Sequence, residues 1–66
     1  MASDYQTAMT NRLCNLISEY ESVMGSEAII QAVSYALELT AIRLDCAGVY
    51  TRAAKYEAAS VVLRRK

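Results

Sequence analysis

An all-α fold is predicted by three features of this sequence. Apolar residues recur at alternating steps of four and three, the chain has no Pro and only two Gly, and its local signals, beginning with a capping-box pattern near the N-terminus, are those of helices. The expected architecture is an antiparallel helical hairpin with a long second helix, about 27–64, assembling into a dimeric or higher helical bundle. The alternative is a three-helix bundle with a break near Gly48. Either way, 66 residues make one small helical domain, 1–66, and domains of this size bury too little surface to be robust alone. An apolar fraction of 55% offers more apolar surface than so short a chain hides, and the ordinary remedy is a second copy of the chain.

The first helix is expected to begin at Ser3-Asp4-Tyr5-Gln6, a capping-box pattern with Ser3 as the N-cap and Gln6 at the third helical position. Met9, Leu13, Leu16, Tyr20 and Val23 line one face, and Cys14, Ile17 and Met24 widen the stripe. Gly25-Ser26 reads as a stop and a new start, with Gly25 closing one helix and Ser26 capping the next. So short a link predicts that the two helices lie antiparallel.

Beyond Ser26 only Gly48 disfavours helix strongly, at about 1 kcal/mol relative to Ala. The register Ala28, Ala32, Tyr35, Leu39, Ile42, Cys46, Val49, Ala53, Tyr56, Ser60, Leu63 runs across Gly48 without a phase slip. That continuity predicts a single helix spanning roughly 55 Å. A second row, Ile30, Val33, Leu37, Ala41, Leu44 and Ala47, fades at Gly48, where helix 1 runs out of length. Helix 1 is therefore expected on the Ile30/Leu37/Leu44 face. Tyr35, Leu39, Ile42, Cys46, Val49, Ala53, Tyr56 and Leu63 are expected to form an oligomer interface. Ala28, Ala32 and Ala36, with Ala54 and Ala58, form rows of small residues that permit close helix approach. The spacing of 15 between Tyr5, Tyr20, Tyr35 and Tyr50 has no matching repeat unit around it.

Several functions are disfavoured by what the chain carries. There is no His and there are only two Cys, too few for a structural zinc site, so no metal or cofactor is expected. In the antiparallel hairpin Cys14 falls near Leu37 and Cys46 near Tyr5, more than about 10 Å apart along the axis and beyond disulfide reach. No nucleophile, base and orienting group assemble from the sequence, and no Gly-rich loop is present, so an enzyme is not expected. Residues 1–12 lack the basic start and apolar core of a secretory leader, and Glu27, Glu38, Arg43 and Asp45 interrupt the most apolar stretch. A cytoplasmic protein is the expectation.

Charge sums to zero yet divides unevenly, −4 over residues 1–42 and +4 over residues 43–66. The basic end holds Arg52, Lys55, Arg64, Arg65 and Lys66, suited either to offsetting a helix dipole or to meeting phosphates or an acidic partner. Flanking charges permit both parallel and antiparallel pairing of subunits. The favoured function is protein–protein interaction by a non-enzymatic helical oligomer, a dimer in the first instance, as an adaptor, assembly factor or inhibitor. The alternative is a dimeric helical-hairpin regulator that binds nucleic acid through Arg52, Lys55, Arg64 and Arg65. A third reading, a small-ligand binder lined by tyrosines, rests only on five Tyr in so short a chain.

Overall fold

The computed structural model of the chain describes residues 3–65 and, among them, holds three α-helices and no strand. The helices are α1 (Asp4–Glu21), α2 (Ser26–Cys46) and α3 (Tyr50–Arg64). Ser3 caps α1 as expected, its hydroxyl accepting the Gln6 N–H at 3.0 Å. α1 then ends at Glu21, earlier than expected, with Ser22 as its C-cap and the Val23 and Met24 amides both donating to the Tyr20 carbonyl. Gly25 is therefore not the C-terminal cap of α1. It is the N-cap of α2, in an ordinary extended conformation (φ −67°, ψ 167°), and Ser26 is the first helical residue.

The expected helix over 27–64 is broken, and the break has a specific chemistry. Gly48 adopts φ +80°, the left-handed region in which only Gly sits without strain. The Val49 N–H donates to the Leu44 carbonyl at 2.8 Å and the Gly48 N–H to the Asp45 carbonyl at 3.0 Å. Those two bonds are the Schellman pattern that closes a helix, and its usual apolar pair, here Leu44 and Val49, is half-buried. The intact phase across Gly48 is thus a coincidence of turn length.

Past the turn, α3 folds back and packs along α2, so the hairpin of this protein is α2–α3. Its seam is built from small residues: Ser34 and Ala41 on α2, Ala53 and Ser60 on α3, each pair seven residues apart and all buried. The Ser34 hydroxyl donates to the Ser60 carbonyl at 2.9 Å, and the same antiparallel register sets Ala41 opposite Ala53. A short side chain that bonds directly to the opposite backbone requires helix axes toward the lower end of the usual range of about 8–10 Å. The rows noted in the sequence do not make this contact, since Ala32, Ala36, Ala54 and Ala58 are exposed and Ala28 is half-buried.

α1 is placed differently from expectation. It meets α2 only near the connecting link, where Ile17, Met24 and Ala28 are half-buried and Ile29 is buried, and no residue of α1 itself is buried. The Ile30/Leu37/Leu44 face of α2 is not covered by α1. Ala41 and Leu44, at the far end of α2, owe their burial to α3.

Two substitutions check this account. Ala53→Leu is expected to force α3 off α2 and to lower stability by about 1–3 kcal/mol, the usual cost of overpacking, read by urea denaturation followed by circular dichroism. Gly48→Ala is expected to destabilise by about 1–2 kcal/mol through its left-handed φ, whereas Gly25→Ala, with φ negative and nothing within 4 Å of an added Cβ, is expected to cost less than about 1 kcal/mol, the N-cap preference for Gly over Ala.

Candidate interaction surface

What distinguishes the molecule is how little of it is inside. The buried apolar residues among those described are Ile29, Ala41 and Ala53, two of them only a methyl group in size. Large apolar side chains lie outside on every helix: Met9, Leu13, Leu16 and Tyr20 on α1, Tyr35, Leu39 and Ile42 on α2, and Tyr56, Val61, Val62 and Leu63 on α3. Leu16 is 49% exposed and Leu39 55%, far above the level of a core leucine.

Two bulk quantities express the same imbalance. The accessible surface is 5687 Å², against roughly 4,200 Å² for a folded monomer of 7.3 kDa, an excess of roughly 1,500 Å². The radius of gyration is 13.3 Å, against roughly 11 Å for a compact chain of this length.

The excess is organised into a groove. α1 diverges from α2, and the opening between them is a cleft of about 360 Å³ lined by Leu13, Leu16, Ile17, Tyr20, Met24, Ile29, Ala32 and Val33. The only polar side-chain atom in that lining is the Tyr20 hydroxyl, so the cleft is apolar and lacks the convergent polar groups that fix a small ligand. Leu13, Leu16 and Tyr20 of the stripe read in the sequence, with Ile17 and Met24 beside it, form the α1 side of this cleft.

The residues expected at an oligomer interface divide into two groups. Tyr35, Leu39, Ile42 and Cys46 form an exposed row on α2, and Tyr56 and Leu63 are exposed on α3. Val49 is half-buried in the turn, and Ala53 is 1% exposed inside the α2–α3 seam. The turn at Gly48 therefore separates residues that a continuous helix would have aligned. Ser34 was not singled out from the sequence and Ser60 only as a member of the register across Gly48, although the heptad spacing of small residues on α2 and α3 was there to be read.

The basic residues do not converge. Arg64 turns toward α2, its Nη2 donating to the Ser60 hydroxyl at 3.0 Å and its Nη1 lying 3.5 Å from the Glu38 carboxylate. Arg52 and Lys55 lie on the first half of α3, Arg52 roughly 18 Å along the axis from Arg64. Arg65 is the C-cap, and Lys66 lies outside the described residues. Arg64 and Arg65 border a second open cleft of about 410 Å³ with Glu27, Ile30, Gln31 and Leu63.

Cys14 and Cys46 are free and exposed. Among the described residues no group of three His, Cys, Asp or Glu is arranged to hold a metal ion. No helix among them is long and apolar enough to cross a membrane. Compared with known proteins, the chain matches no family model, no curated protein and no solved structure.

Arg64 satisfies the buried Ser60 hydroxyl within α3 and reaches Glu38 across the hairpin. Arg64→Ala is expected to lower stability by about 0.5–1.5 kcal/mol, most of it from the lost bond to Ser60 rather than from the part-exposed ion pair. Glu38→Gln, measured alongside by denaturation, is expected to cost less than about 1 kcal/mol and to lose that cost in high salt.

Proposed function

We propose that this chain is a non-enzymatic helical protein that self-associates and acts through protein–protein contacts, as an adaptor, assembly factor or inhibitor. The observation that carries the reading is the ratio of surface to core. A chain that buries three apolar residues among those described and displays more than ten large ones leaves apolar faces open for other helices to cover. The excess of roughly 1,500 Å² per chain lies in the range that obligate dimers bury, about 1,000–2,500 Å² for each partner. Two free, exposed thiols agree with work in the reducing cytoplasm.

The nucleic-acid reading has less support. Phosphate recognition gains from several cations on one surface, whereas Arg64 is engaged within the hairpin and Arg52 and Lys55 lie half the molecule away from Arg65.

Self-association is tested by the absolute mass in solution, from size-exclusion chromatography with light scattering at two concentrations about tenfold apart. A dimer or higher oligomer is expected. A monodisperse monomer at both concentrations would remove the basis of the reading.

A further inference from the structure

The groove between α1 and α2 has a specific occupant. The geometry points to α1 of a second copy, lying antiparallel to the first α1, each helix seated in the other chain's groove around a two-fold axis. This inference rests on the self-association reading and specifies its surface and orientation.

The stripe of α1 is its own complement. Met9, Leu13, Leu16 and Tyr20 step by four, three and four, a sequence of steps that reads the same in both directions. Two copies laid antiparallel about the midpoint between Cys14 and Asn15 place Met9 against Tyr20 of the second copy and Leu13 against Leu16, with no residue out of register. These four are exposed now, and a two-fold contact must join a patch to itself.

Charge then selects the orientation. In heptad terms Leu13 and Tyr20 occupy a, Met9 and Leu16 occupy d, and Arg12 and Glu19 both occupy g. Antiparallel helices bring g positions together across the seam, and this register sets Arg12 beside Glu19 of the second copy, twice by symmetry. Arg12 is the sole cation of α1. A parallel, in-register pair instead sets Arg12 beside Ile17 and Glu19 beside Met24, with no ion pair. Glu21 occupies b, away from the seam in either orientation.

The dimensions fit as well. α1 has 18 residues, about 27 Å of helix, enough to carry all four stripe residues of each copy along one seam.

The test measures the dimer dissociation constant of the full chain by sedimentation equilibrium, with helicity checked by circular dichroism for each variant. Arg12→Glu and Glu19→Arg each place like charges together at both symmetric contacts, and each is expected to weaken the dimer about tenfold. Glu21→Arg makes the same change in net charge as Glu19→Arg and is expected to stay within about twofold of the parent. The double variant R12E/E19R is expected to restore the parent value to within about threefold, and an equimolar mixture of the two single variants to form the mixed dimer. If the parent chain dimerises but Glu19→Arg weakens it no more than Glu21→Arg, or the double variant is no tighter than the singles, the α1 pairing is overturned and self-association stands. A parent chain that stays monomeric throughout overturns both.

Discussion

The close approach of α2 and α3 is the constraint on which the rest of this structure depends. It is made by four small residues and closed by one buried hydrogen bond, from the Ser34 hydroxyl to the Ser60 carbonyl. Small residues bring two backbones near enough for dense packing and for a side chain to reach the opposite main chain, but they remove little apolar surface from water. Serine at the seam carries a second requirement, since a buried hydroxyl without a partner costs about 1–3 kcal/mol. Both seryl hydroxyls are satisfied, Ser34 as donor to the Ser60 carbonyl and Ser60 as acceptor from Arg64. No buried side-chain polar atom among the described residues lacks a hydrogen-bond partner.

That solution has a consequence for every large apolar residue in the chain. With the seam occupied by Ser and Ala, the leucines, tyrosines and isoleucines on either side of it are held at its margins or turned outward. Leu37 and Leu44 are half-buried, and Tyr35, Leu39 and Ile42 stand on the opposite flank of α2. A hairpin closed by small residues is thus specific in register and poor in burial. In the self-association proposed above, the missing burial is supplied at surfaces the chain presents to another copy, and folding is then linked to concentration by mass action.

Much of this was legible in the sequence and some was not, for identifiable reasons. The cap at Ser3 is a local pattern with a local cause, and it was read correctly. The Schellman close at Gly48 is also local: Leu44, Gly48 and Val49 stand at the positions that motif needs, yet the sequence reading held the break near Gly48 only as its alternative. Ser34 was hidden because polarity argues for the solvent face unless the partner carbonyl is known, and Ser60 entered only as the polar member of an otherwise apolar register. The placement of α1 was beyond the reach of periodicity altogether. A stripe at steps of four and three reports that a helix face is meant to be covered, and carries no information on which chain covers it.

The position of α1 follows from that last point. The link Ser22–Gly25 holds α1 to the N-terminal end of α2, and contact with the rest of the chain stops a short way beyond it. A helix of 18 residues has marginal stability in water without tertiary support, because nucleation is costly and propagation gains little per residue. With no buried residue and few contacts, α1 belongs to the low-stability end of the molecule. A partner that covers the α1 stripe therefore does two things together: it buries Leu13, Leu16 and Tyr20, and it stabilises the helical state of the segment that presents them. In the dimer proposed above, helix formation in α1 and association become one equilibrium, while the α2–α3 hairpin, closed by its own turn and its own hydrogen bonds, provides the fixed wall against which that equilibrium is set.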